Sequence, residues 1–173
     1  VLINIHPSKP EMGQRVLRRY HEIFLEVDDA QLFAEGEEVT LVRWGNFFID
    51  RIVKDENGTV LSLEGRHNPD ATNFSKTKKA TWISAIPDLV PCRLVEFDHL
   101  ISKPKLAEED NFQDFITPVS RAETAALGDP YLRTIQVGQV IQLERKGFFR
   151  CDEAYGGPEK PAVFFLIPDG RVK

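Results

Sequence analysis

A short segment, residues 138–152, gathers amide, guanidinium and ammonium groups around a predicted turn. Its polar groups are Gln142, Arg145, Lys146 and Arg150. Gly147 supplies a residue that tolerates positive φ in a turn, and the apolar and aromatic residues on either side predict the two strands of a hairpin. Amide and guanidinium groups hydrogen-bond the edges of unstacked bases, so the pattern indicates contact with a nucleic acid.

Two of these residues pose a geometric problem. In an extended strand Gln142 and Arg145 lie on opposite faces, because side chains alternate with a period of two. A bulge or the following turn must re-aim one of them if both are to contact one ligand. The alternative is that Arg145 pairs with Glu144 or Asp152 on a solvated edge and contacts no ligand.

A second basic run follows a polar segment, residues 68–77, in which Asn, Pro, Asp and Ser predict a loop. Lys76, Lys78 and Lys79 bring ammonium groups close together, which suits a phosphate backbone. Lys146, beside the predicted turn, is a further candidate for phosphate contact. A solvated charge run without a ligand is the alternative for the first three.

The predicted hairpin that begins near residue 38 holds the remaining candidates. Asn46 and Arg51 could hydrogen-bond a base. Trp44 could stack on an extruded base, but a tryptophan at a strand end is more often part of a core. We therefore expect core packing for Trp44 and also for Trp82.

Adjacent aromatic residues occur twice in predicted strands, as Phe47-Phe48 and as Phe148-Phe149. Neighbouring side chains of a strand point to opposite faces of the sheet. We therefore expect one ring of each pair to be buried and the other to be free for packing or stacking.

The overall charge argues against nucleic-acid binding, but its distribution does not. The chain has 173 residues with 22 basic and 27 acidic side chains, a formal net charge of -5. Its acidic residues crowd into two stretches, 22–38 and 108–114. Residues 74–82 and 141–150 are therefore locally basic, and local potential decides phosphate contact.

Several function classes are disfavoured. Cys92 and Cys151 lack the paired spacing of zinc ligands and the histidines are scattered, so we expect no metal site and reduced, structural thiols. No phosphate-binding loop or glycine-rich dinucleotide motif is present. No apolar run approaches the roughly 18 residues of a membrane span and no leader is apparent, which predicts a soluble, cytoplasmic protein without a membrane partner. The chain opens on Val1, so we expect a piece of a longer polypeptide.

The apolar pattern is mostly of period two in short runs, which predicts an all-β fold with few helical turns. The predicted strands are 22–27, 38–43, 47–54, 59–66, 80–85, 91–97, 139–145, 148–152 and 162–167. Asn57-Gly58 marks a hairpin turn, and short helical pieces are expected at 28–33, at 108–116 and after Asp129. No internal repeat is apparent. Many short strands favour barrels, which close their edges.

Five ordered elements carry a family resemblance over nearly the whole chain. They are residues 6–10 (HPSKP), 35–46 (EGEEVTLVRWGN), 75–82 (SKTKKATW), 127–130 (LGDP) and 167–170 (IPDG), together with the segment 138–152. This order resembles the anticodon-binding region shared by glutaminyl-tRNA synthetase and the archaeal-eukaryotic type of glutamyl-tRNA synthetase. Trp44-Gly45-Asn46 is similar to the glutamyl branch.

The resemblance implies two small β-barrels, of a type also related to a ribosomal-protein barrel, with short helices. A proximal barrel would comprise residues 1–20 plus 91–173, and a distal barrel, residues 21–90, would be inserted within it. Gln142 and Arg145 would contact anticodon bases, with Arg51 and Asn46 near the third base, while Lys76, Lys78, Lys79 and Lys146 would hold the backbone.

The resemblance also implies partners and cofactors. The anticodon stem-loop of a glutamate tRNA would be the ligand, and the catalytic domain of the same polypeptide would use ATP and Mg²⁺, with no cofactor in this part. Other synthetases or an assembly factor are additional expected partners. The alternatives are the glutaminyl branch, a protein-docking barrel that binds no RNA, and a ribosomal barrel that binds structured RNA.

Overall fold

The structure is a computed structural model, and it describes residues 1–169. The contacts divide the chain into two compact units, Val1–Ile86 and Pro87–Lys173. In both units strands dominate, so the predicted all-β class is confirmed. Gly170, the last residue of the IPDG element, lies outside the described residues.

The first unit contains eight strands and one short helix. The strands are β1 (Leu2–His6), β2 (Lys9–Val16), β3 (Ile23–Leu25), β4 (Glu38–Leu41), β5 (Gly45–Lys54), β6 (Val60–Asn68), β7 (Lys78–Ala80) and β8 (Trp82–Ser84), and the helix is α1 (Val27–Ala30). They form a four-stranded sheet in the order β6-β5-β4-β7 and two antiparallel pairs, β1-β2 and β3-β8. The β4-β7 pair is parallel.

The core of the first unit lies beneath the four-stranded sheet. Val39 and Leu41 of β4, Ile49 of β5 and Ala80 of β7 are buried there, with Phe33 from the segment after α1. These strand positions alternate with exposed or polar ones, which is the pattern of a sheet with one covered face.

Within its described residues, 87–169, the second unit contains five strands in one sheet, with the order β10-β9-β13-β12-β11. Their bounds are β9 (Val90–Phe97), β10 (Arg121–Gly128), β11 (Val140–Leu143), β12 (Gly147–Glu153) and β13 (Ala162–Leu166). Two 3₁₀ turns, Phe112–Phe115 and Pro130–Thr134, complete the unit. Asp129 caps the second turn by accepting from the Tyr131 N–H at 2.9 Å. Phe149 and Phe164 are the largest fully buried side chains of its core.

The two units contain the same arrangement of strands, an internal structural repeat that was not expected from the sequence. β4-β5-β6 and β11-β12-β13 are both antiparallel meanders, and each first hairpin follows a glycine with positive φ, Gly36 or Gly138. Equivalent backbone hydrogen bonds are present at both hairpins. The Gly36 N–H donates to Ile49 O at 2.7 Å, and the Gly138 N–H donates to Cys151 O at 2.8 Å.

The repeat extends to the irregularities. The β5-β6 ladder shifts register between Ile49 and Arg51, and the β12-β13 ladder shifts between Cys151 and Glu153, at the equivalent place. Identical residues recur at six positions, each 102 residues apart along the chain. They are Gly36, Leu41, Arg43, Gly45, Phe47 and Asp50, matched by Gly138, Leu143, Arg145, Gly147, Phe149 and Asp152.

Each of the nine predicted strands overlaps an observed strand, and the predicted strand 80–85 corresponds to β7 and β8 together. β1, β2 and β10 were not predicted, and only Phe112–Phe115 of the helical piece expected at 108–116 is helical. The contacts group residues 1–20 with the first unit: the Ser84 hydroxyl donates to Arg18 O at 2.7 Å, and Arg43 Nη1 donates to Asn4 O at 3.1 Å. The predicted division differs here, and the two barrels with one inserted in the other remain a prediction.

Candidate nucleic-acid interface

The hairpin of β11 and β12 carries the first group of candidate residues. Leu143 pairs with Gly147, and the Lys146 N–H donates to Leu143 O at 3.0 Å, so the chain reverses through Glu144 and Arg145. Arg145 has φ 66°, the left-handed conformation that this turn position requires and that usually selects glycine. The turn thereby removes Arg145 from the strand alternation, so the alternation no longer places it on the face opposite to Gln142.

Gln142 lies on the exposed face of this hairpin, directly opposite Phe148. Phe148 is 53% exposed, whereas its neighbour Phe149 is 2% exposed, so the expectation of one buried and one free ring is confirmed for this pair. Arg150, opposite Val140, extends the same face and forms an ion pair with Asp152 at 3.5 Å. An amide, an aromatic ring and a guanidinium therefore share one surface, which suits hydrogen bonding and stacking with unpaired bases.

Asn46 is positioned differently from the prediction. It is fully buried, its Nδ2 donates to Asn73 O at 3.0 Å, and its Oδ1 accepts from the Thr40 hydroxyl at 2.6 Å. Its amide is thus used inside the protein, and a base cannot reach it in this structure. Asn46 instead fixes the loop that follows β6.

The three lysines of the second basic run have different surroundings. Lys78 Nζ lies 2.9 Å from Glu37 Oε1 and also donates to Leu32 O. Lys79 Nζ donates to Ser75 O at 3.2 Å and to Thr77 O at 2.5 Å, so it stabilises the loop from within. Lys76 is exposed, and its ammonium has no hydrogen bond or ion pair within residues 1–169. Of the three, Lys76 is the one placed to meet an external phosphate.

Arg51 lies on the exposed side of β5. Its Nη1 is 3.5 Å from Glu64 Oε1, and both side chains are 64% exposed. Exposed ion pairs contribute little free energy, so Arg51 can exchange this partner for a ligand. Trp44 and Trp82 pack against the core with ring centroids 4.5 Å apart, which agrees with the predicted core packing.

Sequence reasoning overlooked Phe74, which lies in the loop between β6 and β7. The residue is 49% exposed and borders a shallow depression of about 310 Å³. The depression is lined by Thr40, Leu41, Arg43, Trp44, Gly45 and Phe74. The signal in the sequence was an aromatic residue within the predicted polar loop, two positions before Lys76. Aromatic rings on polar loops are typical of stacking sites.

The second unit also contains an acidic excursion between β9 and β10, residues 98–120. An isolated bridge between Ile101 and Ile116 joins the two ends of this segment, and Lys103 pairs with Asp110. The Lys103 ammonium and the Ala107 N–H hold the pKa of the Asp110 carboxyl below its usual value. Phe112 is 55% exposed in these acidic surroundings, so this surface is unfavourable for phosphate.

The cysteines have the properties of buried, inert thiols. Both are free, and burial raises the pKa of Cys92 to about 11 and raises that of Cys151. Within residues 1–169 no group of three or more His, Cys, Asp or Glu residues could hold a metal ion. None of the helices in the described part of the chain has the length and apolar character to cross a membrane.

Comparisons with known proteins identify the family to which the chain is similar. Residues 1–68 and 79–152 each match a family described as "tRNA synthetases class I (E and Q), anti-codon binding domain". The chain is 43% identical to "Glutamate–tRNA ligase, cytoplasmic" of Arabidopsis thaliana over 171 residues, covering 99% of this chain and 24% of that protein. It is 41% identical to the Saccharomyces cerevisiae protein of the same name over 170 residues, covering 96% and 23%.

A glutamine enzyme is more distant. "Glutamine–tRNA ligase" of Escherichia coli O157:H7 is 29% identical over 170 residues, covering 90% of this chain and 30% of that protein. The chain spans about a quarter of the length of the glutamate ligases it matches.

Proposed function

We propose that this chain, which belongs to the anticodon-binding domain family of the class I tRNA synthetases for glutamate and glutamine, binds the anticodon stem-loop of a glutamate tRNA. The observation that carries the proposal is the β11-β12 hairpin, where Gln142 and Phe148 share an exposed face beside the Arg145 turn. The greater identity to glutamate ligases than to the glutamine ligase favours the glutamate tRNA.

Each candidate residue has a proposed role. Gln142 and Arg145 hydrogen-bond base edges of the anticodon, because amide and guanidinium groups provide the donors and acceptors that distinguish bases. Lys76 and Lys146 contact phosphates as point charges, and Arg51 contacts a base or a phosphate after leaving Glu64. Lys78 and Lys79 support this surface by fixing the loop.

The full-length protein is proposed to be a cytoplasmic glutamate–tRNA ligase. It would join glutamate to its tRNA with ATP and Mg²⁺, which a catalytic domain outside these residues would bind. The present chain would contribute recognition and no chemistry. Binding the correct anticodon would be coupled to that distant active site.

The test is a binding titration at two salt concentrations, against the glutamate tRNA and a copy in which only the anticodon is changed. We expect tighter binding of the unchanged tRNA and a loss of affinity at the higher salt, because phosphate contacts release counterions. Arg145→Ala should weaken binding by about 1–3 kcal/mol and reduce the preference between the two tRNAs. Equal losses for both tRNAs would contradict the base-recognition role of Arg145.

A docking role is the second candidate, and the acidic excursion 98–120 favours it. Leu100 is 76% and Val119 69% exposed there, so apolar and acidic side chains share a surface. Such a surface suits another protein, for example a second synthetase or an assembly factor. If the chain binds neither tRNA, this candidate replaces the first.

A further inference from the structure

We propose that Phe74 is a stacking platform for one unpaired nucleobase, with Lys76 holding the phosphate next to that base. The proposal rests on the proposed function and adds a contact that neither the sequence patterns nor the family match assigned. Phe74 lies in the loop between β6 and β7, and the residue is 49% exposed.

The loop is held rigid from beneath. Asn46, fully buried, donates to Asn73 O at 3.0 Å, immediately before Phe74. The hydroxyls of Thr40 and Thr77 are 2.5 Å apart, and the Lys79 ammonium donates to two carbonyls of the same loop. A loop that is fixed in this way presents its aromatic ring with little further loss of entropy on binding.

The surroundings of the ring favour a base over another apolar group. Phe74 makes no ring–ring or cation–π contact within residues 1–169, so its face is not used by an aromatic partner there. The depression beside it has Trp44 in its wall. Lys76, two residues later, supplies an unengaged ammonium. An exposed aromatic residue and an ammonium on one short loop are the groups that bind single-stranded nucleic acid.

The experiment compares the chain with Phe74→Leu and Phe74→Trp in titrations against the anticodon stem-loop of the glutamate tRNA. We expect Phe74→Leu to weaken binding by about 5- to 50-fold, because stacking on the ring is lost, and Phe74→Trp to restore it. 5-Iodouridine placed at each unpaired loop position in turn should crosslink to Phe74 from one position. Phe112→Leu is the matched control, since Phe112 is 55% exposed but lies in acidic surroundings.

The outcomes separate this inference from the function on which it rests. If Phe74→Leu binds as tightly as the wild type while Arg145→Ala weakens binding, the stacking role is wrong and anticodon binding stands. A loss that Phe74→Trp does not restore, without a crosslink to Phe74, also overturns the stacking role. If the wild type does not distinguish the anticodons, the proposed function fails and the inference falls with it.

Discussion

Arg145 occupies a backbone conformation that costs the protein stability. Its φ of 66° is left-handed, and for a residue with a Cβ atom this costs roughly 1–2 kcal/mol relative to the right-handed region. Arg43, at the equivalent turn of the first unit, has φ 64°. In the first unit the guanidinium has a structural use, because Arg43 Nη1 donates to Asn4 O. In the second, ligand recognition is the use that we propose.

Two substitutions at one position separate backbone strain from recognition. Arg145→Ala and Arg145→Gly both remove the side chain, but only glycine relieves the left-handed strain. We expect Arg145→Gly to be more stable to denaturant than Arg145→Ala by about 1 kcal/mol. Both variants should lose the same tRNA affinity. Equal stabilities would show that the turn relaxes when the arginine is removed.

The sequence predicted the positions of single residues correctly where local turn and strand geometry determines them. The hairpin near Gly147 and the alternation of Phe148 and Phe149 follow from local rules, although the chain reverses at Glu144 and Arg145, just before the predicted position. Asn46 was predicted to contact a base because the resembled family uses its hairpin near the third anticodon base. Its burial depends on Asn73, which is distant in sequence, and no local pattern contains that information.

At the scale of elements, the loop between β6 and β7 depends on one buried amide. Asn46→Ala removes one of the two partners of Thr40 Oγ1, the other being the Thr77 hydroxyl, and leaves Asn73 O without its donor. Because an unsatisfied buried polar group costs about 1–3 kcal/mol, we expect a loss of about 2–3 kcal/mol in the free energy of unfolding. Urea denaturation monitored by tryptophan fluorescence is suitable, since Trp44 and Trp82 lie in this unit.

Thr40→Val provides the second edge of a double-mutant cycle with Asn46→Ala. The two losses should be strongly non-additive, because both substitutions break the same hydrogen bond. The tRNA affinity of Asn46→Ala should also fall, since the loop carries Phe74 and Lys76. Additive losses would mean that the two side chains act independently, and the proposed rigidity of the loop would then lack its cause.

The repeated meander shows why the elements were only partly predictable. Hydrophobic alternation located β4, β5, β11 and β12, but the six recurring residues are too few to reveal a repeat in the sequence. The shared hydrogen bonds and bulge reveal it, and these are backbone features. The sequence analysis missed β10 because it is rich in alanine and glutamate, which have little strand propensity. Its conformation is determined by its pairing with β9, which no local pattern contains.

For the whole molecule, thiol chemistry distinguishes the two units. Both cysteines lie in the second unit, and burial raises the pKa of Cys92 to about 11. A thiol whose pKa is raised by folding stabilises the protein fully below its unfolded pKa, near 9, and this contribution is lost as pH rises towards 11. We expect thiol reagents at pH 8 to react only after the second unit opens. Rapid labelling of the native protein would contradict the burial of these side chains.

Electrostatics at the scale of the molecule decide how an acidic protein binds RNA. With a net charge of -5, attraction must come from local groups, and the ammonium of Lys76 is available whereas that of Lys78 pairs with Glu37. We expect Lys76→Gln to weaken binding of all tRNAs alike and to reduce the slope of log affinity against log salt by about 0.7–1. Lys78→Gln should change that slope less and lower stability by up to about 1 kcal/mol.

The measurement is a titration of each variant at several salt concentrations, with denaturation curves of both. If Lys78→Gln reduces the slope as much as Lys76→Gln does, then Lys78 leaves Glu37 to contact phosphate, and the pairing in the free protein is not a guide to the bound state. If neither changes the slope, phosphate contact does not occur at this loop, and attraction must come from the basic groups of the β11-β12 hairpin. The two slopes therefore locate the charge that lets an acidic domain hold a polyanion.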